Sequence, residues 1–205
     1  PGVPHERESI SQNWQALSPA FKRFLLPAGI FALAYFSLGF LLLKAHDAGF
    51  SVAQIVLLYA LFNTTCVMAA PLVGKLGDRV GRSRIIVLGY TLYGLINLGL
   101  VFTTSRWEII VAFAFYGFFY SIDESQSKAF IADLEPERRA TAVGVYNFVT
   151  GVLYLPASLV AGALWTVSPG LALGLAAGLS LAAIVVFGFM RPARFNASRP
   201  QSRRP

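Results

Sequence analysis

The sequence contains few charged residues, and this scarcity bounds what kind of protein it encodes. Of its 205 residues only 13% are Asp, Glu, Lys or Arg, whereas 56% are hydrophobic and the mean hydropathy is +0.60. Ordinary soluble domains carry about 25% charged residues, so water is not the main solvent of this chain. An apolar helix of about 20 residues crosses roughly 30 Å of hydrocarbon, and the chain has room for six such crossings and for no second, soluble domain.

Cysteine and histidine are also nearly missing. The single cysteine, Cys66, lies within an apolar run and has no partner, which excludes an internal disulfide and a cysteine metal site. The two histidines, His5 and His46, lie outside the apolar runs. A membrane-embedded enzyme needs a nucleophile and a base, or metal ligands, gathered at one depth. Because the sequence offers no such cluster, we expect no enzymatic activity, no metal and no cofactor.

The positive charge does not indicate a nucleic-acid-binding protein. The net charge is +7, but a nucleic-acid-binding domain gathers its basic residues on one soluble face. Here the lysines and arginines lie at the ends of apolar runs. We therefore expect the chain to be surrounded by membrane lipid and to bind no nucleic acid.

Six apolar segments follow one another along the chain. They are predicted at 24–43, 52–73, 85–102, 107–132, 140–164 and 171–190. All are too long for a strand of an outer-membrane barrel, and none alternates with a period of two residues. The sequence therefore predicts an all-α membrane protein with a six-helix domain at 24–190. A cytoplasmic linker is expected at 1–23 and a basic cytoplasmic tail at 191–205.

The distribution of lysine and arginine predicts the orientation, because these residues are retained on the cytoplasmic side of short loops. If the N-terminus is inside, the outer loops carry only Lys44 and Arg106, and the inner face carries nearly all the others. Both termini are therefore predicted to be cytoplasmic. Helices one to three and four to six then begin in opposite directions, which is expected of an inverted repeat of two triple-helix units (3+3).

A charged segment separates the second and third apolar segments. It reads GKLGDRVGRSR from Gly74 to Arg84. Its three glycines permit tight turns and close approach of backbones, and its arginines are suited to inner lipid headgroups. The segment is thus predicted to be a short cytoplasmic loop.

Asp78 needs a separate explanation, since an acid among arginines contributes nothing to orientation. We expect its carboxylate to accept hydrogen bonds from arginines and from free N–H groups at the start of a neighbouring helix. The fifth helix begins on the same side, near Arg138 and Arg139. The alternative is a plain basic anchor with an incidental acid.

The segment resembles the signature loop of the major facilitator superfamily (MFS). That signature is a glycine, any residue, leucine, a small residue, aspartate, arginine, any residue, glycine and arginine, and it follows the second helix of a six-helix half. Ser83 stands where a basic residue is commoner. In the family the aspartate is implicated in a latch that holds the cytoplasmic side closed. The resemblance therefore implies a conformational-switch motif made of Gly74, Gly77, Asp78, Arg79, Gly81 and Arg82.

The resemblance extends over nearly the whole chain. The run from Glu124 to Trp165 is similar to the later helices of bacterial facilitator transporters, and residues 14–23 resemble the end of the linker between their two halves. This resemblance implies one half of a multi-pass transporter of a bacterial inner (plasma) membrane, and it favours the C-terminal half over the N-terminal half. A complementary six-helix half is then expected in the same full-length chain, in a separate chain or in a homodimer.

The fourth apolar segment carries several ionisable residues. Asp123 and Glu124 lie about 24 Å from its outer end, in the inner third of the membrane. Glu124 and Lys128 are four residues apart and are expected to form a same-face pair. Asp123 is rotated about 100° from Glu124 around the helix axis and cannot share that pair fully. We therefore expect Asp123 to be the coupling group. Arg138 and Arg139 are further gating candidates. The alternative is that the three ionisable side chains of this segment form a structural rim at the inner headgroups.

Other polar and aromatic residues are candidates for a substrate cavity. In the family the first and fourth helices of a half face the substrate path, so the resemblance implies cavity positions for Tyr35, Phe36, Tyr116, Phe119 and Tyr120. Asn63, a mid-span amide, is a further candidate. Contact with lipid is the alternative for the aromatic residues, and an interhelical hydrogen bond is the alternative for Asn63.

These features imply secondary active transport of a small solute by alternating access. The sequence contains no nucleotide-binding loop, so the energy is expected to come from an ion gradient, with the proton as the expected ion. The alternative is a non-transporting half that assembles with or regulates another membrane protein.

Overall fold

The computed structural model describes residues 14–103 and 105–190, and within them the chain is helical without strands. The predicted all-α class is therefore confirmed for this part of the chain. The predicted tail at 191–205 and most of the predicted linker lie outside it. Between residues 19 and 189 the described chain forms the helices α1 Pro19–Ala34, α2 Gly39–Asp47, α3 Val52–Val80, α4 Arg82–Phe102, α5 Arg106–Leu134, α6 Arg139–Val167 and α7 Pro169–Phe189.

Five stretches of the described residues are long and apolar enough to cross a membrane. They are α3, α4, α6, α7 and the stretch Pro19–Asp47, which contains α1 and α2. Helix α5 has the 29-residue length of α3 and α6 but carries more charge. Because α5 packs along both α3 and α4, it belongs to the same apolar bundle.

The first predicted helix, at 24–43, is interrupted in the structure. Helix α1 ends at Ala34 and α2 begins at Gly39, so four residues at 35–38 leave the helical path. The buried hydroxyl of Tyr93 on α4 donates a hydrogen bond to the carbonyl oxygen of Ala34 at 2.9 Å. The Ser37 hydroxyl accepts one from the Gly39 N–H at 3.1 Å. These bonds satisfy backbone groups at the break, and the one from Tyr93 comes from a distant part of the sequence.

The predicted loop at 74–84 is mostly helix. Helix α3 continues to Val80 and α4 starts at Arg82, so the second and third segments extend beyond the predicted limits of 73 and 85. Gly81 alone links them, with a φ of +101°, a conformation that favours glycine. The packing of α3 along α5 outweighs the low helix propensity of Gly74 and Gly77.

Glycines allow α3 and α5 to approach closely. A Cβ atom on Gly117 would lie 2.4 Å from the carbonyl oxygen of Phe62, and one on Gly77 would lie 2.1 Å from Oε1 of Gln126. The Gln126 side chain itself donates to the Val73 carbonyl oxygen at 3.2 Å. Small residues and polar side chains are the usual means of joining helices in lipid, and here they fix α3 against α5.

The packing of the helices has an internal symmetry. We count α1 and α2 together as column one, and α3 to α7 in order as columns two to six. Column two then packs along column four, and column five packs along column one. Likewise, column three packs along column four, and column six along column one. Exchanging the first three columns with the last three converts the pair of columns three and six into itself and every other substantial packing pair into another such pair. An inverted repeat of two triplets has this pattern.

Candidate transport site

A polar cavity of about 190 Å³ lies between the break in the first column, α5 and α6. Most of the bundle surface is apolar, whereas the walls of this cavity carry hydroxyl, amide and charged groups. Its lining residues are Tyr35, Tyr120, Asp123, Glu124, Lys128, Tyr146, Asn147, Thr150 and Tyr154. In this cavity several ionisable side chains and aromatic rings meet inside the bundle.

The helices position these side chains in different ways. Tyr35 is the first residue after α1 and belongs to the non-helical break. Tyr146, Thr150 and Tyr154 follow one another at intervals of four residues on α6, so they share one helix face. The Tyr35 and Tyr154 ring centroids are 5.3 Å apart. The break and the face of α6 therefore meet directly.

The charged residues of α5 separate into a pair and a single acid. Lys128 and Glu124 form the expected ion pair and hydrogen bond across one helical turn. Asp123 lies beside this pair, and its Oδ1 accepts a hydrogen bond from the Ser127 hydroxyl at 3.4 Å. Among the described residues Asp123 makes no ion pair. Its carboxylate is thus the unmatched charge of the cavity.

Two of the six proposed cavity residues, Tyr35 and Tyr120, line this cavity. Tyr116 and Phe119 instead belong to a buried ring cluster around Tyr93, with Phe119 4.8 Å from Tyr93 between ring centroids. Tyr116 and Phe119 face this cluster because the α5 helix turns them toward α4 rather than toward α6.

The structure also places Phe36 and Asn63 away from the cavity. Phe36 is buried, and its ring packs against Phe40 in an edge-on arrangement at 5.1 Å. Asn63 is exposed, and its side-chain amide donates to the Tyr59 carbonyl oxygen at 2.8 Å within its own helix. Asn63 therefore occupies neither the proposed cavity position nor the alternative interhelical hydrogen bond, and its amide bonds within its own helix instead.

Tyr146, Thr150 and Tyr154 are cavity residues that sequence reasoning did not select. Their regular spacing of four residues places three hydroxyl-bearing side chains on one face of an otherwise apolar helix. That stripe is a signal that the sequence carries. The decisive fact, that the stripe faces Asp123 and Tyr35, depends on the packing of α6.

Arg82, a residue of the predicted conformational-switch motif, makes three polar contacts. Its Nη1 lies 2.5 Å from the Ala129 carbonyl oxygen and 3.1 Å from Oδ1 of Asp133, both near the end of α5. Its Nη2 lies 3.4 Å from Oδ1 of Asp78. The guanidinium therefore ties the junction of α3 and α4 to the C-terminal end of α5, where the helix dipole favours a cation.

Asp78 does not contact the start of α6, as the sequence led us to expect. Its side chain is 70% exposed and its observed ionic partner is Arg82, one helical turn away. Helices α3 and α6 are not among the pairs that pack substantially. Arg138 and Arg139, at the start of α6, also lie outside the lining of the polar cavity.

A second, larger groove of about 620 Å³ runs between α4 and α5. Its walls are mostly apolar, with residues such as Leu95, Leu100 and Phe115, and it contains none of the proposed site residues. The polar cavity is therefore the better candidate for a functional site.

A bundle of long apolar helices in two exchangeable triplets is the architecture of a multi-pass membrane protein, and the polar cavity lies inside it. Sequence comparison defines the family. The sequence model of the Major Facilitator Superfamily matches residues 24–205, so the chain belongs to this family. An uncharacterized MFS-type transporter of Methanocaldococcus jannaschii is 36% identical over 160 residues. The aligned region covers 75% of this chain and 40% of that relative, so the chain spans less than half the length of the relative.

Proposed function

We propose that this chain forms one half of a secondary active transporter that moves a small solute by alternating access. The observation that carries the proposal is the polar cavity with its unmatched Asp123 inside an apolar bundle. Ionisable residues in membrane spans are costly and mark substrate or ion pathways. A proton carried by Asp123 is the proposed coupling ion, while the pair of Glu124 and Lys128 shapes the wall.

A complementary six-helix half completes the path in this proposal. Helices α3 and α6 are the least covered by the rest of the chain, with 17% of their apolar windows buried against 50% for the first stretch. Both helices have glycines with open space in front of them: Gly74 on α3, and Gly144 and Gly151 on α6. Small residues of this kind let a second helix approach closely in lipid. These surfaces therefore suit a partner bundle.

The same half supplies a partner for Asp78. The exposed carboxylate lies on α3 close to Gly74, on the side that the chain itself does not cover. We place this end of the bundle at the cytoplasmic face of a bacterial inner membrane, with both termini inside, because the basic residues gather there. In that orientation Asp78 docks against the positive start of a helix in the complementary half.

A photoreactive maleimide attached to an Asp78→Cys variant tests this contact, in a Cys66→Ala background of the full-length protein. We expect crosslinked peptides from a helix start in the complementary half. An Asp47→Cys variant, exposed at the other end of the bundle, should not yield them. Crosslinks confined to the start of α6 would contradict the proposed contact.

Reconstitution tests the transport function itself. Purified full-length protein in proteoliposomes should accumulate solute when a pH gradient is imposed, and a protonophore that collapses the gradient should stop accumulation. Two results together would instead indicate the non-transporting, regulatory alternative. The protein would co-purify with another membrane protein, and no solute from a cell extract would show gradient-driven uptake or efflux.

A further inference from the structure

We infer that the polar cavity selects an organic cation, a quaternary ammonium or a protonated amine, as the transported solute. This inference rests on the transport function proposed above and specifies the substrate class of the same site. It is carried by three properties of the described residues: the number of aromatic walls, the balance of charge and the chemistry of the remaining polar groups.

Four of the nine lining residues are tyrosines, contributed by the first column, α5 and α6. The rings of Tyr35 and Tyr154 are in contact and tilted by 51°, so they present two differently oriented surfaces. Tyr120 and Tyr146 complete the set. The face of an aromatic ring attracts a cation through the ring's quadrupole. An ammonium group is therefore held there without a hydrogen bond of fixed direction. A wall made of several such faces is a recognition surface for a quaternary or substituted amine.

The charges of the cavity also favour a cation. Two carboxylates, Asp123 and Glu124, and one ammonium, Lys128, line it. Lys128 is bound to Glu124, so the side chains leave one negative charge, at Asp123, without an ionic partner among the described residues. A cationic solute would match that charge, an anion would be repelled by it, and a neutral solute would leave it unmatched.

The remaining polar groups do not form an anion site. A carboxylate or phosphate is usually bound by arginine, which offers two parallel N–H donors. The lining residues include no arginine, and their single basic side chain is the paired Lys128. The Thr150 hydroxyl is already engaged with the Tyr146 carbonyl oxygen at 2.9 Å. The hydroxyl groups are thus suited to orient a solute rather than to neutralise a negative one.

The size of the cavity agrees with a small solute. Its volume of about 190 Å³ is below the roughly 300–1,000 Å³ of typical ligand pockets. The complementary half would supply the opposite wall. In this arrangement the tyrosines of this half hold a compact ammonium group, and the rest of the solute faces the other half.

Equilibrium binding to the full-length protein in detergent micelles tests the substrate class. The probes are choline and benzyltrimethylammonium, each compared with its uncharged carbon analogue, dimethylbutanol for choline and neopentylbenzene for the aromatic probe. Isothermal titration should show that at least one cation binds about 10-fold or more tightly than its analogue, since cation–π attraction strengthens in a desolvated site.

Matched variants then locate the binding. Tyr154→Leu removes a ring and should weaken cation binding about 10-fold, whereas Tyr154→Phe keeps the ring and should change it less than about 3-fold. Asp123→Asn should weaken it by about 100-fold or more, because it removes the unmatched charge. Tyr59→Leu, which replaces a tyrosine outside the cavity, should have no effect.

The outcomes separate the substrate class from the transport function. If no cation binds more tightly than its analogue, while gradient-driven transport of a neutral or anionic solute is found, the substrate class is wrong and the transport function stands. Cation binding that is insensitive to Tyr154→Leu and Asp123→Asn would also overturn the inference. If neither cation binding nor transport occurs, both proposals fail.

Discussion

Asp123→Asn is expected to reduce gradient-driven transport by the full-length protein to the background of protein-free vesicles. The substitution keeps the size and polarity of the side chain but removes the group that can take up and release a proton. Asp123 carries the unmatched charge of the polar cavity, and the nearby Glu124 is held by Lys128. No neighbouring lining residue therefore stands ready to replace it.

The measurement is uptake or efflux in proteoliposomes under an imposed pH gradient. Asp123→Glu should retain part of the activity, because it keeps a titratable carboxylate and adds one methylene. Asp47→Asn changes an exposed acid at the end of α2 and should transport normally. If Asp123→Asn transports as well as the unsubstituted protein, Asp123 has no part in coupling.

Arg82→Ala is expected to lower the stability of the bundle and to impair transport together. The Arg82 guanidinium contacts the Ala129 carbonyl oxygen and the Asp133 carboxylate at the end of α5. Hydrogen bonds to charged groups are each worth about 1.5–3 kcal/mol. The contact with the exposed Asp78 adds little in comparison. We therefore expect a loss of roughly 2–3 kcal/mol in the free energy of unfolding, or a fall in melting temperature of about 5–10 °C.

Arg84→Ala is the matched control, since Arg84 lies two residues further along and, among the described residues, its guanidinium contacts the nearby Val80 carbonyl oxygen alone, at 3.4 Å. It should melt within about 1–2 °C of the unsubstituted protein. Arg82→Lys should recover only part of the loss, because a single ammonium cannot reproduce a planar fork of donors. Thermal unfolding followed by tryptophan fluorescence would measure these differences.

A double-mutant cycle of Arg82→Ala with Asp133→Ala tests whether the two side chains act together. Their separate effects should not add, because both substitutions break the same contact. Additive effects, or equal melting temperatures for Arg82→Ala and Arg84→Ala, would contradict the proposed role of Arg82 as the tie between α5 and the junction of α3 and α4.

The sequence predicted the parts of this protein that depend on local patterns. Apolar runs of about 20 residues indicate membrane helices, and the glycine, aspartate and arginine spacing of the segment after the second helix indicates the family. The intrahelical pair of Glu124 and Lys128 also follows from spacing alone, because residues four apart share a helix face. These features depend only on neighbours along the chain.

Other features depend on contacts between residues that are distant in sequence. The break at Tyr35 depends on the Tyr93 hydroxyl 59 positions away from Ala34. Helix α3 continues through Gly74 and Gly77 because α5 packs along it. The separation of Tyr120, in the cavity, from Tyr116 and Phe119, in the buried ring cluster, follows from which neighbour each face of α5 meets.

The sequence by itself determined that the chain lies in a membrane, that its helices run through that membrane and that it belongs to a transporter family, because hydropathy and motif spacing are properties of the linear chain. Only the tertiary structure decided that Asp123 lies among four tyrosines and that Arg82 binds the end of α5. The physical reason is that an interhelical contact is set by the close packing of helices, and this packing brings together residues whose spacing in the sequence carries no signal.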